Sequence, residues 1–194
     1  MSAEKKYILI HGMKGSGKST LANMINSKLK NSGIFVLADA VREKISKAFD
    51  ISTEELESED TKNLPNKKLY NQTPRKVMQL FATEFAQECF GKEIWCRILN
   101  DEIQQDAYKY NIIPDVRFEH EYDYFNNVDA LIIFLSRDGV YQDEFNAHSS
   151  EKGLMHLYDS NNPKHIRLDL PKESTLEGLE EYVDAFLIAY ITQD

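Results

Sequence analysis

The stretch Gly12-Met13-Lys14-Gly15-Ser16-Gly17-Lys18-Ser19 decides how the rest of the chain is read. Its fixed positions match G-x-x-x-x-G-K-[ST] without a mismatch. Glycines at this spacing let successive backbone N–H groups converge on phosphate oxygens, and a following helix adds positive potential at its N-terminus. Lys18 is then expected to reach the β- and γ-phosphates, and the Ser19 hydroxyl to ligate Mg²⁺. Composition alone yields the fixed positions in roughly one chain in a hundred, so the flanks matter. They agree. Tyr7-Ile8-Leu9-Ile10 precedes the loop as a short apolar run of the buried parallel-strand kind. Leu21, Ile25 and Leu29 follow it, four apart on one face of an expected helix over 18–31. Binding of ATP or GTP by Gly12, Lys14, Gly15, Ser16, Gly17, Lys18, Ser19 and Thr20 is the firmest reading.

Away from the loop, short apolar runs alternate with amphipathic stretches. Strands are expected near 7–11, 34–38, 111–115, 130–135 and 165–169. Gly33 reads as the stop of the first helix, and 42–49 as a short second helix. Residues 50–72 are rich in charge and poor in apolar side chains, which predicts a solvated insertion or mobile loop. Thr73-Pro74 places a capping hydroxyl before a proline and opens a helix carrying Val77, Leu80, Phe81 and Phe85. A further helix follows Gly91 with Ile94, Trp95, Ile98, Leu99 and Ile103, and another spans about 118–126. Residues 137–163 read as a long functional loop or lid. Ser174-Thr175-Leu176-Glu177 reads as a capping box for a last helix with Leu176, Leu179, Val183, Phe186, Leu187 and Tyr190 at three- and four-residue spacing. The alternation predicts a three-layer P-loop α/β fold around a central parallel sheet, within one domain spanning 1–194.

Composition narrows the function classes. The chain has 194 residues, 23 Lys+Arg against 32 Asp+Glu, and a formal net charge of −9. A binder of phosphate backbones shows the opposite balance, so nucleic acid is not the expected partner. No apolar run approaches membrane-spanning length, and the N-terminus is too short for a signal peptide. Cys89 and Cys96 both fall in helical patterns, which predicts reduced thiols and a cytoplasmic setting. No Cys/His cluster has metal-ligand spacing, so structural zinc is not expected.

The loop does not fix the reaction. A signalling GTPase needs a guanine-reading Asn-Lys-x-Asp, and Asn66-Lys67-Lys68-Leu69 lacks the Asp. A phosphate-monoester acceptor has a second pKa of about 6 and is already an anionic nucleophile at neutral pH. Such chemistry needs no general base, only positioning and charge neutralisation, which calls for arginines at loop and element ends. Of the six arginines, Arg42, Arg75, Arg117 and Arg137 occupy such places.

Several further motifs stand in a fixed order along the chain. They are Leu37-Ala-Asp-Ala-Val-Arg42, Thr73-Pro-Arg-Lys-Val-Met-Gln79 running on to Trp95, Pro114-Asp-Val-Arg-Phe-Glu-His-Glu121, and His148-Ser-Ser-Glu-Lys-Gly-Leu154. Together with the P-loop they resemble the phage deoxynucleoside monophosphate kinases, relatives of adenylate kinase, over residues 7 to about 155. The resemblance implies transfer of the ATP γ-phosphoryl group to a deoxynucleoside monophosphate (dNMP), with Mg²⁺. It also implies a core, an acceptor-binding section at about 39–110 and a lid at about 137–163. Some relatives carry Asp where this chain has Ser19, and the 50–70 region is shorter than in some.

Carried onto this sequence, the resemblance gives Lys14, Lys18, Arg117 and Arg137 catalytic roles. Ser19 and Asp115 become the Mg²⁺ ligands, although Asp115 also fits a helix N-cap. Arg75 and Arg117 clamp the acceptor phosphate bidentately. Asp39, Arg42, Gln79, Trp95, Glu121 and Glu151 line the substrate. Gln79 fits a solvated surface equally well, Trp95 fits a core position, and His148 in the lid fits a surface histidine. Two other readings stay open: a kinase for another phosphorylated acceptor such as phosphomevalonate, and a nucleotide-binding regulatory module without turnover. The partner expected is a small molecule, with no nucleic acid and no membrane, and a homodimer is left open.

Overall fold

The computed structural model describes residues 4–128, 130–138, 153–157 and 161–191. Strands β1 (Lys6–Gly12), β2 (Ser32–Ile34), β3 (Tyr110–Ile113), β4 (Leu131–Arg137) and β5 (His165–Leu170) form one all-parallel sheet ordered β2-β3-β1-β4-β5. β1 is central, with Ile8 opposite Ile112 on one side and Leu131 on the other. Strands covered on both faces have no solvent side to hold polar residues, which is why 7–10 and 131–135 read as apolar runs.

Successive side chains of a strand enter opposite layers. Ile8, Ile10, Ile112, Ile133 and Leu135 pack with Leu21 and Ile25 of α1 (Lys18–Lys28) and with Val183 and Phe186 of α8 (Leu176–Tyr190). On the other face the Tyr7 ring meets Phe125 of α7 (Glu119–Asn126) at 5.6 Å between centroids. Gln104, near the end of α6 (Ile94–Gln105), donates to the Tyr7 hydroxyl at 3.0 Å. Helix, sheet and helix make the expected three layers. No helix among the described residues is long and apolar enough to cross a membrane.

The chain divides into two compact units, one of residues 1–35 with 103–194 and one of residues 36–102. The second consists of helices joined by turns, with one isolated bridge between Asn66 and Gln72. It holds α2 (Leu37–Phe49), α3 (Thr53–Glu57), α4 (Pro74–Gln79), a π-helical stretch (Leu80–Gln87), α5 (Glu88–Phe90) and most of α6. Thr73 caps α4 by accepting from Lys76 N, as the Thr-Pro signal predicts.

Five local expectations are corrected. The second strand is 32–34 rather than 34–38, and Leu37 already begins α2, whose start lies upstream of the expected 42. Gly33 lies inside β2, not at a helix stop: a Cβ there would sit 2.4 Å from the Tyr108 ring, and α1 ends earlier as Leu29 turns extended. The 50–72 stretch is folded, because buried Ile51, Leu56 and Leu69 anchor it and a Ser52–Glu55 capping box starts α3. The cap of α8 is Thr175, one residue after the expected Ser174; it accepts from Gly178 N, and with glycine at that position the reciprocal bond of a capping box is absent.

Candidate active site

The phosphate loop fills the gap between the end of β1 at Gly12 and the start of α1 at Lys18. A Cβ on Gly12 would lie 2.4 Å from the Leu135 carbonyl oxygen and 2.9 Å from Ser16 Oγ, so no larger residue fits against β4. Gly15 and Gly17 take φ of +83° and +102°, the left-handed region that glycine enters without strain. No side chain caps α1 and no acid lies in its first turn, which leaves first-turn N–H donors for an anion. Ser16 is buried with no hydrogen-bond partner for its hydroxyl among the described residues. Lys18 Nζ donates to the carbonyls of Gly12 at 2.7 Å and Met13 at 2.8 Å, which holds the ammonium on the loop. Lys14, Ser19 and Thr20 are not buried.

Beyond β3 the chain turns through Pro114-Asp115-Val116-Arg117 into α7. Buried His11, one residue before Gly12, bonds the Val116 carbonyl through Nδ1 at 2.9 Å. A carbonyl only accepts, so Nδ1 carries the proton of a neutral ring. Burial holds the His11 pKa below the usual histidine value; the Val116 bond opposes this, and the cations Lys18 and Arg117 reinforce it. The Glu121 carboxylate accepts from Arg117 N at 2.7 Å and Phe118 N at 3.0 Å. Burial raises its pKa to about 7 against those two bonds, with Asp115 adding like charge. A Cβ on Gly153 would lie 2.5 Å from the Arg117 carbonyl oxygen. The Arg117 residue itself is exposed and Asp115 is half-buried.

Arg137 ends β4 beside this loop. Its Nη2 lies 3.9 Å from where a Cβ on Gly17 would be, and its buried Nε has no hydrogen-bond partner among the described residues. His148 and Glu151, with most of the expected lid, lie outside the described residues.

In the 36–102 unit, Arg42 pairs with Asp39 one turn back and reaches Glu57 at 3.4 Å, so these substrate candidates form an ion-pair group. Arg75 and Gln79 are exposed, and no acid among the described residues pairs with Arg75. Trp95 is a core residue whose indole N–H donates to the Ala82 carbonyl at 2.9 Å.

Sequence reasoning missed His11 and Gly153. The signal for His11 was a single imidazole inside an otherwise apolar strand directly before the loop. Gly153 gave none, because its contact is with a turn far away in sequence.

The loop fits a nucleoside triphosphate: two left-handed glycines, an uncapped helix start, a held ammonium and a buried unsatisfied hydroxyl. The hydroxyl of Ser19 and the carboxylate of Asp115 are hard oxygen donors suited to Mg²⁺. No grouping of three or more His, Cys, Asp or Glu among the described residues could hold a metal alone. Mg²⁺ typically takes one or two protein oxygens and completes its shell with phosphate and water.

A family model for deoxynucleotide monophosphate kinase matches residues 57–162, over half of the sequence. The chain belongs to the deoxynucleotide monophosphate kinase family. A model for adenylylsulphate kinase matches residues 4–73. A protein of Acanthamoeba polyphaga mimivirus assigned as a deoxynucleotide monophosphate kinase is 24% identical over 166 residues, covering 76% of this kinase and 82% of its own length. Thymidylate kinase from Candida albicans shares the fold at TM-score 0.54 and 19% identity, covering 97% of this kinase and 93% of that chain. A protein from Thermus thermophilus does so at TM-score 0.51 and 16% identity, covering 95% and 97%. As a member of this family, the kinase is a nucleotide-binding transferase.

Proposed function

We propose that this kinase transfers the γ-phosphoryl group of ATP to the phosphate of a dNMP, giving dNDP and ADP. The observation that carries the reading is the attachment of the Asp115–Arg117 turn to the phosphate-loop strand. His11 precedes Gly12 in sequence and bonds the carbonyl of the residue before Arg117. The main chain directly before Arg117, the cation this reading gives to the acceptor anion, is thereby bonded to the strand that ends in the donor loop.

The acceptor phosphate oxygen attacks the γ-phosphorus, that P–O bond forms, and the bond to the β-phosphate oxygen breaks as ADP leaves. The acceptor is already anionic, so no side chain needs to take a proton. Lys18 and the loop amides hold the donor phosphates, and Lys14 adds charge beside the group in transfer. Arg137 neutralises charge on the donor side as it spreads in the transition state. Arg117 and Arg75 each offer a planar fork to the acceptor phosphate. Mg²⁺ held by Ser19 and Asp115 would supply further charge neutralisation. In this reading the section of about 39–110 binds the acceptor and that of about 137–163 closes as a lid.

A coupled ADP-release assay with a panel of dNMPs, NMPs, phosphomevalonate and adenylylsulphate tests the reading. Release that depends on a dNMP is expected. Slow hydrolysis independent of any acceptor, or selective use of phosphomevalonate or adenylylsulphate, overturns it.

A further inference from the structure

The backbone of the turn that carries Asp115 and Arg117 is hydrogen-bonded from two directions and closely backed from a third. His11 Nδ1 bonds the Val116 carbonyl from β1. One carboxylate oxygen of Glu121 accepts from both Arg117 N and Phe118 N, from the first turn of α7. Gly153 backs onto the Arg117 carbonyl, where a Cβ would come within 2.5 Å. Neighbouring Leu154 is fully buried, so this backing is anchored rather than draped. Three consecutive residues are thus held by groups from three separate parts of the sequence.

These groups are chosen for the backbone and not for a ligand. The His11 ring is buried at 1% exposure between β1 and the turn, edge-on to Phe134 at 5.9 Å. Glu121 uses one oxygen on the main-chain N–H groups of Arg117 and Phe118, a pattern that closes the start of a helix. Gly153 has no side chain to offer. The Arg117 residue, by contrast, stays exposed while its main chain is fixed.

We infer that His11, Glu121 and Gly153 are positioning residues that lock the Asp115–Arg117 turn to the phosphate-loop strand, so that Arg117 meets the acceptor phosphate in one fixed place. The assignment rests on the proposed function for the roles of Arg117 and Asp115. It moves Glu121 from a substrate contact to a backbone clamp. A displacement of about 1 Å in such a group costs on the order of a hundredfold in rate, so the lock matters to turnover as well as to folding.

The full chain is compared with His11→Ala, His11→Asn, Glu121→Ala and Gly153→Ala. The measurements are peptide-level hydrogen exchange over residues 114–119, steady-state constants for each substrate, and melting. In His11→Asn the side-chain amide N–H stands near where Nδ1–H stood and restores a donor to Val116. Loss of either clamp is expected to raise exchange over 114–119 about tenfold and to lower acceptor kcat/KM about ten- to hundredfold. The KM for ATP stays within about twofold. His11→Asn recovers most of both losses, and Gly153→Ala lowers acceptor kcat/KM with both clamps present.

Unchanged exchange in His11→Ala and Glu121→Ala overturns the lock. So do parallel losses on both substrates that track a lowered melting temperature, or a His11→Asn chain no better than His11→Ala. Should one variant fail to fold, the others decide by the same readouts. A wild-type chain that phosphorylates no dNMP defeats the functional reading instead, and exchange alone then settles the lock.

Discussion

Arg137 Nη2 lies 3.9 Å from the point a Cβ on Gly17 would occupy, which sets a strand-end guanidinium directly against the phosphate loop. The pairing of β1 with β4 brings them together, Gly12 standing opposite Leu135 two residues before Arg137. A guanidinium standing beside the loop is suited to neutralise phosphate charge that develops there, which is the source of large electrostatic catalysis.

Arg137→Ala is therefore expected to lower kcat about 10²- to 10³-fold. Arg137→Lys should recover only part of this, since an ammonium lacks the planar fork. Initial rates at saturating ATP and acceptor check it, and a kcat within about twofold of wild type contradicts the placement.

Lys18→Ala should remove phosphoryl transfer while the fold survives. Its bonds go to two carbonyls of its own loop rather than to the core, so melting should shift little while rate is lost. Retention of most activity would show that Lys18 does not act on the phosphates.

Arg117→Ala and Arg75→Ala should each damage the acceptor side far more than the ATP side. A charge-assisted bidentate contact is worth roughly 2–4 kcal/mol in acceptor kcat/KM, about 30- to 1000-fold. ATP affinity should change less than about threefold if the sites are independent. Normal acceptor constants in Arg117→Ala would remove the clamp from the mechanism.

Glu121 predicts a pH dependence. Its carboxyl is raised from an ordinary 4.5 to about 7, so the folded chain holds a proton there that the unfolded chain has released. Stability associated with the protonated form is complete below pH 4.5 and is lost as pH rises through about 7. Glu121→Gln keeps an oxygen acceptor and cannot ionise, so wild type should lose melting temperature relative to it between about pH 5 and 8. Parallel melting curves across that range would contradict the shift.

Tyr182→Phe is expected to stabilise the kinase. The Tyr182 hydroxyl is buried with no hydrogen-bond partner among the described residues, and burial pushes its pKa up to about 12. Deleting an unsatisfied hydroxyl removes a desolvation cost of about 1–3 kcal/mol, a gain of roughly 2–4 °C per kcal/mol at this chain length. A lower melting temperature in Tyr182→Phe would mean the hydroxyl is satisfied.

The fold was legible where one physical cause dominates. Tyr7–Ile10 and Leu131–Leu135 are buried on both faces, so their sequences could be little else. The P-loop glycines answer to geometry that no other residue meets. Legibility failed where a contact distant in sequence decides. Ser32-Gly33-Ile34 forms β2 because Gly33 admits the Tyr108 ring, while the more apolar Phe35 and Val36 drew the expected strand downstream. In 50–72, three buried side chains outweigh the polar residues around them. Of the candidate site, the charged residues are proposed from type and position in the sequence. The clamps on their backbone were not legible there, since Glu121 and His11 show their use only once α7 and β1 flank the same turn.

The central strand imposes an order on biosynthesis. β1 pairs only with β3 and β4, and β3 begins roughly a hundred residues later. At about 5–20 residues per second, a ribosome leaves Tyr7–Ile10 without sheet partners for roughly 5–20 s. During that interval residues 36–102 emerge with their own internal contacts to make. The nascent chain thus carries an apolar strand without a sheet partner until β3 has been synthesised.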